Sequence, residues 1–116
     1  MPDFICYTKC GTCRKAQKWL DEKNVEYLCR DIKTQNPSLQ ELSAWYKLSG
    51  LTLRRFFNTS GQLYKSMELK NKLPDMSEEE MLQLLSTDGM LVKRPILVTD
   101  KGVATGFKES EWEKLL

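Results

Sequence analysis

The chain reads as an α/β domain built in the order βαβ, helical insertion, ββα, and three observations predict it. The first 32 residues run from a short apolar stretch through a helical pattern to a second apolar stretch. Residues 36–87 carry helix-start signals and helical periodicity with no strand pattern. The last third returns to strand-like runs around an Asp-x-Gly turn and closes on a further helical pattern. With 116 residues, 41% of them hydrophobic, the chain is long enough for one domain with its own core and short for two. The predicted division of this one domain, 1–116, is a core from 1–35 and 88–116 with an insertion at 36–87.

Taken in order, Phe4-Ile5-Cys6-Tyr7 is the first strand, apolar and aromatic as a buried strand should be. Lys9-Cys10-Gly11-Thr12-Cys13-Arg14 follows it and leads into a helix with Ala16, Trp19 and Leu20 on one face. After the turn-like Lys23-Asn24, the residues from Val25 to Ile32 form the second strand. A strand, helix and strand this close together require parallel pairing and a right-handed crossover. Cys6 and Cys29 are expected to point into sheet or helix packing, because unpaired cysteine is commonly buried.

Asn36-Pro37 then breaks the chain, and Ser38 with Glu41 makes a capping box ahead of Leu39, Leu42, Trp45 and Tyr46. The helix this starts, over 38–48, stops at Gly50. Residues 53–57 read as a short helix with Phe56 and Phe57 buried, and 58–61 as the loop ending it. Trp45 and the Phe pair are core residues in this reading and not a cofactor site. Residues 64–72 make a weaker helix ended by Leu73-Pro74. Ser77 with Glu80 opens another, carrying Met81, Leu82, Leu84 and Leu85. Ile96–Thr99 and Val103–Thr105 flank the turn at Asp100-Lys101-Gly102. The last helix is expected to open at Ser110, capped by Glu113, with Trp112, Leu115 and Leu116 apolar. Pro95 has no N–H to give a sheet ladder, so it belongs at a strand start; pattern alone favours an ordinary trans bond there.

Chemistry concentrates at Cys10 and Cys13. A Cys-x-x-Cys at a strand-to-helix junction sits where the first helical N–H groups lack partners and the helix dipole is positive, which favours thiolate. Lys9 and Arg14 add positive charge. The thiolate is the attacking species in thiol–disulfide exchange, and a thiol two residues further on resolves the mixed disulfide. A structural zinc site would need a second cysteine pair or histidines; the chain has no histidine, and Cys6 and Cys29 lie inside strand patterns. Two inert core cysteines are the other bland alternative. Redox chemistry is favoured over both. With 18 basic against 16 acidic residues and no basic stripe, direct nucleic-acid binding is not expected. No run approaches the roughly 20 apolar residues of a membrane span, and the N-terminus lacks a secretory signal pattern. The expected location is the cytoplasm, where disulfides are normally transient and catalytic or sensory.

The βαβ–ββα order with Cys-x-x-Cys at the first helix N-terminus is similar to the thioredoxin fold. Three stretches in order, Cys10-Gly11-Thr12-Cys13-Arg14-Lys15-Ala16, Phe57-Asn58-Thr59-Ser60-Gly61 and Lys93-Arg94-Pro95-Ile96, together with the helical insertion, resemble the arsenate reductase (ArsC) family, which includes the Spx and MgsR regulators. The resemblance implies that Cys10 is the reactive cysteine, that Arg94 faces it, and that Pro95 is cis. Cys10-x-x-x-Arg14 matches the family's cysteine-to-arginine spacing. Catalytic roles thus fall to Cys10, Cys13 and Arg94, and substrate contacts to Gly11, Thr12, Arg14 and Pro95. Arginine suits a tetrahedral oxyanion because of its planar fork.

The chain departs from the arsenate reductases at three places. Cys6 stands where they carry a histidine, and Asn58 and Phe107 fall where they carry two further anion-binding arginines; Arg55 and Lys108 are the nearest cations in sequence. These departures weigh against arsenate as the natural substrate. The implied function is a thiol–disulfide oxidoreductase acting on a small-molecule or protein disulfide, with no bound cofactor and with glutathione, glutaredoxin or thioredoxin as electron donor. The alternative is an Spx/MgsR-type redox-sensing regulator that binds the C-terminal domain of the RNA polymerase α subunit, for which the segment near Ser49-Gly50 offers a surface. The chain stops soon after its last helix begins, short of the C-terminal portion expected of that regulator, and its size favours the enzyme.

Overall fold

Strand β1 (Asp3–Cys6) lies between β2 (Leu28–Asp31), which runs parallel to it, and β3 (Ile96–Thr99), which runs antiparallel; β4 (Gly102–Thr105) completes the sheet beyond β3. This is the architecture of a computed structural model that describes residues 1–116. The register pairs Phe4 with Cys29 and Leu97, and Ile5 with Arg30 and Ile96. Because side chains alternate across a pleated strand, β1 serves two cores. Phe4 and Cys6 join Leu97, Ala104 and the inner face of helix α1 (Gly11–Glu22), namely Cys13, Ala16, Trp19 and Leu20. Ile5 joins Ile96, Val103 and the apolar residues of the insertion.

The insertion is helical, as its signals predict. Ser38 caps α2 (Leu39–Ser49): its Oγ accepts from Glu41 N–H at 3.1 Å, Glu41 Oε1 accepts from Ser38 N–H at 3.1 Å, and Gly50 ends the helix at φ 67°. That positive φ is why glycine suits the position. Arg30 of β2 donates to both Glu41 oxygens, at 2.6 and 2.9 Å, and its guanidinium lies over the Trp45 ring, which fastens α2 to the sheet edge. Two short helices, α3 (Gln62–Ser66) and α4 (Leu69–Lys72), lead to α5 (Glu78–Thr87), opened by the Ser77–Glu80 capping box.

Several expectations are corrected. The second strand is only four residues long: Val25 N–H caps the end of α1 by donating to Leu20 C=O, so the chain is still turning there. The helix expected over 64–72 is split at Glu68, which adopts φ 53°. Phe57 is extended, not helical; the 3₁₀ turn stops at Phe56, and Phe57 forms an antiparallel bridge with Val92. The last helix, α6 (Glu109–Leu115), starts after Lys108 without a side-chain cap. Glu113, the expected cap partner of Ser110, instead accepts from Lys23 Nζ at 3.0 Å, and what fixes α6 is buried Trp112, whose Nε1 donates to Gly106 C=O at 2.9 Å. Leu116 is exposed. Cys29 is exposed as well, on β2 at the edge of the sheet. The Arg94–Pro95 bond is cis, as the family likeness implies and the strand pattern alone does not.

Candidate active site

Cys10 is the residue at which strand geometry becomes helix geometry. Its backbone is extended, at φ −92° and ψ 123°, its N–H donates to Tyr7 C=O at 3.0 Å, and its C=O accepts the first helical bond from Arg14 N–H at 3.1 Å. No side chain caps α1, so the amides at its start remain available to the Cys10 sulfur. Partial burial pushes the Cys10 thiol up, but donation from the Cys13 backbone N–H, the Cys13 thiol, the Thr12 backbone N–H and the Arg94 side chain outweighs it. The net result is a Cys10 pKa below its ordinary value, as expected where donors favour the charged form.

Cys13 lies one helical turn deeper and is buried. Burial is the main cause that pushes its thiol up to about 12, and the nearby Cys10 charge adds to that, against a pull downward from Tyr7 N–H, which donates to Cys13 Sγ at 3.3 Å. The two cysteines are thus driven apart in acidity: one exposed enough to meet a substrate and biased toward thiolate, the other held as a neutral thiol behind it.

Arg94 is held just ahead of β3. Lys93 N–H donates to Phe56 C=O at 2.8 Å, the Phe57–Val92 bridge holds the strand just before it, and Pro95 C=O accepts from Gly106 N–H at 2.8 Å. The guanidinium centre sits 5.1 Å from the Tyr7 ring centroid and acts on Cys10. Its Nε and Nη1 are buried and have no hydrogen-bond partner. A charged donor left unpaired inside a protein is costly, and these two N–H groups are free to receive an acceptor.

Of the other residues the sequence singles out, Thr12 contributes its backbone N–H to Cys10, and Pro95 is buried beside Arg94. Gly11 is exposed, and a Cβ there would meet nothing within 4 Å. Arg14 is directed away: its Nε donates to Thr8 C=O at 3.2 Å on the exposed side of α1, so it braces the loop that carries Cys10. Phe107, at one position of a missing anion-binding arginine, packs edge-on against Trp19 and Trp112, at 5.7 and 5.1 Å between centroids. Asn58, at the other, is tied through its N–H to Leu91 C=O. Arg55 and Lys108 are both exposed; Arg55 is used through its backbone C=O, which accepts from Thr105 Oγ1. Sequence reasoning missed Tyr7, whose N–H holds Cys13 and whose ring faces Arg94. The available signal was its place as the last strand-like residue before the Cys-x-x-Cys, where backbone groups turn toward the helix start.

Comparison with known proteins bears on the family of the chain. The family model described as the ArsC family matches residues 6–115. The uncharacterized protein YusI of Bacillus subtilis strain 168 is 52% identical over 111 residues, covering 96% of this chain and 94% of YusI. The regulatory protein MgsR of the same organism is 30% identical over 112 residues, covering 97% of this chain and 87% of MgsR. Among solved structures, an ArsC-family-related protein of Bacteroides fragilis superposes with a TM-score of 0.97 at 54% identity, covering 99% of this chain and 97% of that one. The match runs from the strand that precedes Cys10 through the cis-proline hairpin and into the last helix, and on that basis the chain belongs to the ArsC family.

Proposed function

We propose that the protein is a thiol–disulfide oxidoreductase in which Cys10 is the nucleophile, Cys13 the resolving thiol and Arg94 the group that holds the polar end of the substrate or the developing thiolate. The observation that carries this reading is Arg94, with two buried and unpartnered N–H donors beside a cysteine whose acidity is raised. The Cys10 thiolate attacks one sulfur of a disulfide, forming a mixed disulfide and releasing the other half as a thiol. That step removes the Cys10 charge and its hydrogen bond, both of which keep the Cys13 proton in place. Cys13 therefore becomes more acidic once it is needed; its sulfur displaces the second half of the substrate, and Cys10–Cys13 remains as a disulfide. A thiol donor, glutathione, glutaredoxin or thioredoxin, returns two electrons and reduces it.

The substrate is a disulfide or another oxidised sulfur species in this reading, not arsenate. Asn58 and Phe107 are engaged in backbone and aromatic contacts, which leaves Arg94 to receive an anion without the two partner arginines of the arsenate reductases. The test is steady-state reduction of a model disulfide with each donor. Cys10→Ser should abolish turnover, while Cys13→Ser should stop after one mixed disulfide; full activity of Cys10→Ser would overturn the assignment.

The likeness to MgsR favours one second reading, a redox sensor that binds the C-terminal domain of the RNA polymerase α subunit. Exposed Leu48, next to Gly50 at the end of α2, would belong to that surface. Binding of the isolated α-subunit domain by the reduced and the oxidised protein separates the two readings: a redox-dependent complex supports the sensor, and no complex in either state removes it.

A further inference from the structure

Cys6 and Cys29 are not used by the chemistry above, yet their sulfurs lie 3.6 Å apart. The strand register explains the approach. Phe4 pairs with Cys29 and Cys6 with Asp31, so Cys6 and Cys29 are diagonal neighbours on the same face of the β1–β2 pair. Cys6 is buried against α1, whereas Cys29 is exposed on the edge strand. This repeats the division of labour seen in Cys10 and Cys13: one sulfur that a reagent can reach and one sulfur behind it that a reagent cannot.

We infer that Cys6 and Cys29 form a second dithiol–disulfide couple, with Cys29 receiving the oxidising disulfide and Cys6 resolving it. In the first step Cys29 displaces one half of a small disulfide, R–S–S–R, and becomes Cys29–S–S–R, and one R–SH leaves with the Cys29 proton. In the second step Cys6 attacks the Cys29 sulfur, and the second R–SH leaves with the Cys6 proton. The small disulfide gains two electrons, and the protein loses them as a Cys6–Cys29 bond forms. The acid beside this pair selects the reagent. Asp31, in register with Cys6, is the carboxylate that bears on the Cys6 thiol. An uncharged disulfide therefore suits the site better than an anionic one.

The chain between the two sulfurs, 23 positions apart, contains the whole of α1 and both active-site cysteines. A bond here would tie together the two ends of the segment that presents Cys10. The couple does not depend on the function proposed for Cys10 and Cys13, and the experiment keeps the two apart.

The full chain carrying Cys10→Ser and Cys13→Ser is treated with bis(2-hydroxyethyl) disulfide, and its remaining thiols are counted by alkylation and mass spectrometry. Both thiols should disappear, the mass should fall by two hydrogens, and proteolysis should yield the β1 peptide joined to the β2 peptide. Adding Cys29→Ser should leave Cys6 free. A stable 2-mercaptoethanol adduct on Cys29 with Cys6 still alkylatable, or no reaction at either thiol, would overturn the proposal. Should the double serine variant not fold, the wild-type chain is oxidised and mapped for the same link, whose absence counts equally against it.

Discussion

Cys10 owes its acidity to several donors, of which Arg94 lies outside the Cys-x-x-Cys and can be removed without touching the helix start. Replacing Arg94 with alanine should therefore raise the Cys10 pKa and slow its alkylation near neutral pH about fivefold, equivalent to on the order of 1 kcal/mol for a charge-assisted contact. Iodoacetamide rates measured against pH would show it, and an unchanged profile would mean that Arg94 does not act on the sulfur. The linkage has a definite sign. Since the folded protein favours the thiolate, Cys10 adds stability at pH values above its unfolded pKa, and that contribution is lost as the pH falls through the lower folded value. The place of Cys10 at the helix start and its lowered pKa were legible in the sequence, because spacing and helix position suffice to suggest them. Arg14 shows the limit. Its spacing from Cys10 implied a place at the sulfur, but a side chain at the fourth position after the cap can turn either way, and here it braces Thr8.

At the scale of elements, capping boxes were the most readable signals, since a Ser and a Glu three residues apart satisfy each other locally. Ser38–Glu41 and Ser77–Glu80 form as expected. Ser110–Glu113 has the same spacing and does not, because Lys23 takes Glu113 and Trp112 sets the position of the helix from inside the core. No local pattern can report such a long-range competitor. Glu41 has a second role: donation from Arg30 is the main cause that holds its carboxyl down to about 2. Glu41→Gln keeps the cap but removes the ion pair, whose side chains are 27% and 38% exposed. Allowing for solvent screening, it should cost about 1 kcal/mol at neutral pH by urea denaturation. The difference between wild type and variant should be complete above the ordinary Glu value of 4.5 and shrink as the pH falls toward about 2.

For the molecule as a whole, the joint between insertion and sheet is the tightest point. At Gly89 a Cβ would stand 1.8 Å from the Ile32 carbonyl oxygen and 2.7 Å from its carbon, and backbone cannot yield there as a flexible side chain would. Gly89→Ala should destabilise the fold by roughly 3 kcal/mol, at the upper end of overpacking costs, read as a lowered thermal midpoint. A midpoint within a degree or two of wild type would show that the joint is slack. The sheet order itself was only partly legible: the first two strands had to be parallel, but nothing local stated that β3 would lie against β1 and leave β2, with Cys29, at the edge. The same sheet also keeps the two partners of the reactive centre on separate supports. Cys10 stands at the start of α1 over one core, while the segment leading to Arg94 is strapped through Lys93 and Val92 to Phe56 and Phe57 over the other. A molecule warmed until the insertion loosens would withdraw its guanidinium while the sulfur still stood at the helix start. The Cys10 sulfur would then keep its helix-start amides and lose only the donor that the other support carries.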